Sequence, residues 1–150
     1  MKKLLVFAAL LLAFSVAFIS CNKDDDEITN TMLIRGTKLP IGQGLYQFYQ
    51  DQDGGYYNLD VETTMKDDNL HGYGGFPASY VGKTTDLKGA FFLSFNPMTG
   101  NSIDPVIKSG TVKIKEVKGG LHIIVDCVET NGDKFTMNFL AEDETKKVWD

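Results

Sequence analysis

The chain has 150 residues, of which 20 are acidic and 15 are basic, and its formal net charge is −5. An acidic chain without a stripe of Lys and Arg lacks the attraction to phosphate on which nucleic-acid binding depends, so we predict no nucleic-acid partner. Its two cysteines are Cys21 and Cys127; if Cys21 is modified, Cys127 has no partner and the fold does not depend on a disulfide.

The start of the chain has the features of a secretory signal peptide. Lys2 and Lys3 give a basic beginning, and an uncharged, mostly apolar stretch follows from Leu4 to Ser20. The secretion machinery requires this order, with a small residue before the cleavage point. A run of about 17 residues is at the lower limit for crossing a membrane. We therefore predict a signal peptide over residues 1–20.

The residues before Cys21 resemble the lipobox of bacterial lipoproteins. Phe18-Ile19-Ser20-Cys21 places a small residue directly before the cysteine, whose thiol takes the diacylglycerol in that family. Phe18 departs from the family pattern, which usually has Leu at that position. A competing cleavage after Ala17 would release a soluble periplasmic protein. The resemblance implies a lipid anchor on Cys21, and with it a membrane partner.

A charged, mostly acidic run follows the cysteine: Lys23, Asp24, Asp25, Asp26 and Glu27. The run resembles the surface-export signal of Bacteroidetes lipoproteins, in which acidic residues close to the lipid direct the protein to the outer face. The alternative is a solvated spacer, because like charges repel one another and keep the chain extended. The resemblance implies an outer-membrane, surface-exposed location, with the periplasm as the alternative. Residues 21–30 are thus predicted to be a lipidated cysteine and an acidic tether.

Residues 31–150 have the pattern of a single all-β domain. Short β-prone runs alternate with Gly, Asn, Asp and Pro, and no apolar stripe of helical period is long enough for a helix. Strands are predicted over Met32–Arg35, Leu45–Tyr49, Tyr56–Val61, Ala90–Phe95, Thr111–Val117, Leu121–Val128 and Lys134–Ala141. The Gly-rich stretch Lys66–Thr85 is predicted to be a long loop with at most one edge strand. About 7–8 strands predict an antiparallel β-sandwich, with a small lipocalin-like β-barrel as the alternative.

Three turns are predicted from their residue types. Asn131-Gly132 favours the two positive φ angles of a type I′ turn, so we expect a tight hairpin there. Lys118-Gly119-Gly120 joins the preceding pair of strands in the same way. Asp51–Gly55 closes an earlier hairpin between two aromatic-rich strands.

With these strands and turns, the chain resembles small Bacteroidetes lipoproteins of unknown function. The likeness depends on Lys108–Ile114, which contains Ser-Gly-Thr-Val, on Gly120–Asp126 and on Asn131–Phe135. Arg35-Gly36-Thr37, before the aromatic hairpin, extends it over most of residues 31–141. The family implies an all-β fold and offers no catalytic residues to carry over.

Candidate catalytic groups are few. His122 lies in a predicted strand, on the face opposite to Leu121 and Ile123, and is interpreted as an exposed or second-face strand residue. His71 lies in the Gly-rich stretch and is interpreted as a plain loop residue. Cys127 shares the apolar face of its strand, where thiols usually pack and do not react. No group of Cys and His has zinc spacing. We therefore predict no metal, no cofactor and no catalytic site.

Two acidic patterns require an alternative interpretation. Asp51-x-Asp53-x-Gly55 begins like a calcium loop, but Gly55 and Tyr56 stand where an oxygen ligand and a glycine are needed. A hairpin turn is the simpler interpretation.

A carboxylate-dependent hydrolase would need two acids across a cleft, a separation that the sequence does not give. The acids considered for it are Asp60, Glu62, Asp67 and Asp68.

Aromatic residues are concentrated between positions 45 and 80. Because side chains alternate between the two faces of a strand, at least one aromatic of each strand should point outward, where a sugar ring can stack on it. The candidate ligand-binding residues are Tyr49, Tyr57, Tyr73 and Tyr80. The leading prediction is a non-catalytic binding module that holds a glycan or another outer-membrane protein. The alternatives are a structural or inhibitory protein-interaction lipoprotein and the hydrolase.

Overall fold

The computed structural model describes residues 27–65, 68–90, 93–98 and 100–147. The strands in these ranges are β1 Thr31–Ile34, β2 Thr37–Tyr49, β3 Tyr56–Met65, β4 Asp68–Pro77, β5 Lys83–Asp86, β6 Gly89–Ala90, β7 Leu93–Pro97, β8 Val106–Val117, β9 Gly120–Glu129 and β10 Lys134–Asp143. Two short 3₁₀ helices span Ala78–Tyr80 and Glu144–Lys146. The predicted signal peptide, Cys21 and the charged run from Lys23 to Asp26 lie outside the described residues.

The described strands form one sheet, in the order β5-β8-β9-β10-β1-β2-β3-β4-β7, with β6 pairing with β8. The sheet curls into a half-barrel. The ring centroids of Phe95 on β7 and Phe135 on β10 are 6.0 Å apart, although four strands separate β7 from β10 in the sheet. The all-β prediction is confirmed. The sandwich of about 7–8 strands is not confirmed, because one curled sheet replaces the two expected sheets.

The core fills the concave side of the sheet, as the alternation of side chains requires. On β9 the inward positions include Leu121, Ile123 and Cys127, all of them buried. Cys127 lies opposite Phe135 of β10, which is also buried. A sheet that is apolar on one face must bury that face, and this sheet does so by curling around it. The prediction that Cys127 packs in the core is confirmed.

The seven predicted strands all have observed counterparts, with shifted ends. Arg35 is outside β1, because its φ of 48° already begins the turn toward β2. The predicted strand Ala90–Phe95 is divided between β6 and β7, and residues 91 and 92 lie outside the described residues.

The prediction of a long loop over Lys66–Thr85 is wrong. β4 is a ten-residue strand that pairs with β3 on one side and with β7 on the other, and β5 pairs with β8. Glycine usually weakens a strand because it has no side chain to pack. Here the missing side chains allow close contacts: a Cβ on Gly72 would lie 2.6 Å from Phe95 Cε1, and one on Gly75 would overlap the Tyr57 carbonyl oxygen and lie 2.7 Å from Tyr56 Cε1.

The Asn131-Gly132 hairpin is confirmed, but its turn is not of type I′. Gly132 has a φ of 91°, whereas Asn131 does not have a positive φ. The Gly132 N–H donates to the Glu129 carbonyl at 2.9 Å, and the Glu129 N–H donates to the Asp133 carbonyl at 2.8 Å. These bonds define a three-residue loop that ends in a left-handed glycine. The Asn131 side chain favours this turn by accepting from the Asp133 N–H at 2.9 Å.

Candidate functional site

The face of β2, β3 and β4 that points away from the core carries polar and aromatic side chains. Leu59 of β3 is buried in the core, so Asp60 and Glu62 alternate to the outer side. The register places Asp60 opposite Tyr73 and Glu62 opposite His71 of β4, and directly opposed residues share a face of the sheet. We call the following set the outer aromatic face: Gln47, Tyr49, Tyr56, Asn58, Asp60, Glu62, His71 and Tyr73.

A cleft of about 510 Å³ opens on the outer aromatic face. Two of its tyrosines, Tyr56 and Tyr73, are 36% and 49% exposed. The side chains that give the cleft its chemistry are Gln47, Tyr56, Asn58, Asp60, Tyr73 and Glu144; its described lining contains no lysine or arginine. Exposed rings can stack against a flat apolar surface, while amides and carboxylates bond to hydroxyl or amine groups beside it.

The rings of this face are held by their neighbours. Tyr56 leans over Gly75, where a Cβ would come within 2.7 Å of the ring. The rings of His71 and Tyr73 lie nearly parallel, with an interplanar angle of 9° and centroids 5.9 Å apart. Because these contacts restrict the rotamers, less side-chain entropy is lost when a ligand stacks on them.

The electrostatic field of the cleft is negative. Partial burial raises the pKa of the Asp60 carboxyl, and the charges of Glu144 and Glu62 raise it further, while His71 lowers it. Burial, followed by Asp60 and Glu62, raises the pKa of the Tyr73 hydroxyl. Asp60 Oδ1 lies 4.0 Å from His71 Nδ1, and that buried nitrogen has no hydrogen-bond partner. The field therefore disfavours an anionic ligand and favours a neutral or cationic one.

Of the four tyrosines predicted to bind a ligand, the structure brings two to this face. Tyr49 and Tyr73 are 47% and 49% exposed there. Tyr57 instead lies on the inner side, stacked on Phe76 with centroids 5.2 Å apart and an interplanar angle of 20°. Tyr80 is half-buried in the first 3₁₀ helix and packs against the core.

Sequence reasoning missed Tyr56, Asn58 and Gln47 as members of a site. The alternation along β3 shows that Tyr56 and Tyr57 lie on opposite faces, but it does not show which face is covered. That choice depends on the ring of Phe76 in β4, which meets Tyr57 across the pair of strands. Because β4 was predicted to be a loop, no sequence signal placed its His71 beside β3.

Tyr57 lines a second cleft, of about 570 Å³, at the end of the half-barrel formed by the β8–β9 turn. Burial, followed by the charges of Glu116 and Asp143, raises the pKa of the Tyr57 hydroxyl. The Asp143 carboxylate is already paired, because Lys146 Nζ lies 3.3 Å from its Oδ2. The charge of Lys146 thus partly neutralises the negative charge at this rim.

The remaining sequence candidates have structural roles. Asp51 Oδ1 accepts hydrogen bonds from the N–H groups of Asp53 at 2.9 Å and Gly55 at 2.8 Å, so the predicted hairpin turn is confirmed. His122 is buried, and its Nε2 lies 2.8 Å from Asn138 Oδ1. In the part of the chain that the structure describes, no three His, Cys, Asp or Glu residues are grouped to hold a metal ion.

Helices that could span a membrane are not found among the described residues. No protein-family model, no curated protein and no solved structure matches the chain. The likeness to small Bacteroidetes lipoproteins therefore stays a prediction. What the protein does has to be argued from the chemistry of the outer aromatic face.

Proposed function

We propose that this protein is a membrane-anchored, non-catalytic binding module of the bacterial surface, and that it holds a glycan on the outer aromatic face. The observation that carries the proposal is the cleft in which the exposed rings of Tyr56 and Tyr73 stand beside the amides of Gln47 and Asn58. The apolar C–H face of a sugar ring can pack on a tyrosine, and its hydroxyl groups need polar partners at the edge of that contact.

The anchor in this proposal is a lipid on Cys21, with the acidic run as the export signal to the outer membrane. The chain is held to the domain from Glu27 onward. Asn138 Nδ2 donates to the Glu27 carbonyl at 3.0 Å, and the Leu140 N–H donates to Asn30 Oδ1 at 3.1 Å. These bonds hold the described end of the predicted tether, residues 21–30, against β10.

The packed interior of the half-barrel is an argument for a ligand that binds on the outer side of the sheet. A lipocalin-like carrier encloses an apolar ligand in its barrel. In this fold the inward side chains of Phe95, Phe135 and Phe139 are fully buried against one another and their neighbours in a single core. We therefore place the ligand on the outer aromatic face and not within the sheet.

The alternatives would use the same face differently. A hydrolase would release products from the bound glycan; Asp60 and Glu62 share the outer side of β3, while Asp67 and the side chain of Asp68 lie outside the described residues. A scaffold or inhibitor would bind another outer-membrane protein and no saccharide.

Binding of the purified full chain to neutral oligosaccharides, measured by titration calorimetry, tests the proposal. Tyr73→Ala should weaken binding about tenfold, because a lost ring contact of about 1.4 kcal/mol corresponds to that factor. Phe48→Ala is the matched control, since Phe48 is a similarly exposed aromatic, at 44%, that contacts Tyr57 on the inner side. Its affinity should equal that of the unmodified chain.

Three results would contradict the proposal. Absence of binding across neutral and amine-bearing saccharides from a correctly folded chain would favour a protein partner. Equal losses from Tyr73→Ala and Phe48→Ala would place the ligand elsewhere. Release of shortened saccharides during the titration would favour the hydrolase.

A further inference from the structure

We infer that the glycan held by the outer aromatic face carries a free amine, and that Asp60 and Glu144 select it. The inference rests on the proposed function, since it names the chemical class of the ligand of that same cleft. It concerns the polar edge of the site, whereas the stacking rings account for saccharide binding in general.

The arrangement of charge around the rings is the first argument. Asp60 of β3 and Glu144 of the second 3₁₀ helix line the cleft together with Tyr56 and Tyr73. Ring faces and carboxylates both attract an ammonium group, and the described lining offers no lysine or arginine to compete with it. A ligand whose sugar ring stacks on a tyrosine can thus place an amine on the same wall of the cleft.

The incomplete pairing of Asp60 is the second argument. Its carboxylate is partly buried, which weakens its hydration, and its ion-pair neighbour is His71 Nδ1, at 4.0 Å. That nitrogen has no hydrogen-bond partner, so the two groups stand near each other without a bond. Asp143 is different, because Lys146 Nζ lies 3.3 Å from it and Thr145 donates to it. The cleft therefore contains a carboxylate with which a cationic ligand can form an ion pair.

The charge that favours an amine also rejects acidic sugars. A uronate or sulfate group placed between Asp60 and Glu144 would meet two like charges, with Glu62 on the same outer side of β3. Like-charge contacts of this kind discriminate between ligands of similar shape. We expect affinity to decrease in the order amine-bearing, neutral, acidic saccharide.

The experiment compares three oligosaccharides of equal length on the full chain: glucosamine, N-acetylglucosamine and galacturonic acid oligomers. Titration calorimetry at pH 6 and low salt should give at least tenfold tighter binding of the glucosamine oligomer than of the acetylated one. Asp60→Asn and, separately, Glu144→Gln should reduce this ratio several-fold. Glu116→Gln, which removes a carboxylate from the second cleft, should leave the ratio unchanged. Added salt should lower the ratio, because it screens partly exposed charges.

The outcomes separate this inference from the proposed function. If neutral oligomers bind and the glucosamine oligomer binds no tighter, the amine inference is wrong and the glycan-binding module stands. If the ratio is high but neither Asp60→Asn nor Glu144→Gln lowers it, selection occurs elsewhere and the inference is also overturned. If no saccharide binds, both proposals are wrong. Glu144 is exposed in a short 3₁₀ helix, so its variant remains informative if Asp60→Asn fails to fold.

Discussion

Replacing Gly72 by Ala tests how the sheet curls. Gly72 lies on β4 and is not in the left-handed region, so the new methyl group would cause no backbone strain. Its Cβ would lie 2.6 Å from Cε1 and 2.8 Å from Cδ1 of Phe95, whereas carbon atoms in favourable contact are about 3.5–4.0 Å apart. The ring would have to move by about 1 Å. Phe95 is fully buried and its centroid is 6.0 Å from that of Phe135, so the surrounding core has little free space.

Overpacking a dense core by one methyl group costs about 1–3 kcal/mol, and we expect Gly72→Ala to lower the free energy of unfolding by that amount. Urea denaturation followed by fluorescence measures it. Gly42→Ala is the matched control on β2, because its Cβ would lie 3.8 Å from the nearest atom, the Glu62 carbonyl oxygen. The free energy of unfolding of the control should not decrease. It should increase by up to about 1 kcal/mol, because alanine lowers the conformational entropy of the unfolded chain. Equal stability of Gly72→Ala and the unmodified chain would refute the contact between Phe95 and the backbone of β4.

Two buried side chains give further predictions. Burial raises the pKa of the Cys127 thiol from 9.0 to about 11, so at pH 8 about one thiol in a thousand is ionised. In a Cys21→Ser chain, maleimide should therefore label Cys127 slowly when the chain is folded and fully in urea. Rapid labelling of the folded chain would contradict the burial. Because the pKa of this thiol is higher in the folded chain than in the unfolded chain, its contribution to stability is complete below pH 9. Between pH 9 and pH 11 the free energy of unfolding should fall by about 2–3 kcal/mol relative to that of Cys127→Val. Glu129 is 8% exposed and its Oε2 has no hydrogen-bond partner. Because an unpaired buried polar group is costly, Glu129→Leu should raise the free energy of unfolding by about 1–3 kcal/mol. A lower free energy of unfolding in the same urea titration would show that the carboxylate stabilises the fold.

The part of the fold that sequence reasoning anticipated is the meander from β8 to β10. Val112 and Ile114 alternate with lysines along β8, and the tight Lys118-Gly119 connection leads directly into β9. These signals are local: the strand period fixes which residues share a face, and the glycine fixes where the chain reverses. Such segments specify their own pairing, so little long-range information is needed to predict them.

The curvature of the sheet could not be predicted in the same way. Whether the described strands form two packed sheets or one curled sheet depends on contacts between residues far apart in sequence, such as Phe95 with Phe135. The sequence pattern of an inward-facing strand is the same in both architectures. The choice between a sandwich and a half-barrel therefore depends on long-range contacts of this kind, which the alternation alone does not describe.

The glycines of β4 connect the core to the candidate site. Gly72 has the ring of Phe95 against its inner side, and Gly75 has the ring of Tyr56 against its outer side. Residues three apart in a strand face opposite sides of the sheet, so one strand accommodates a core ring on one face and a ligand-facing ring on the other. A side chain on Gly72 would displace the ring of Phe95, whereas a side chain on Gly75 would first overlap the backbone carbonyl of Tyr57 in β3. Glycine in β4 is thus required for the packing of Phe95 in the core and for the close pairing of β4 with β3 beside Tyr56.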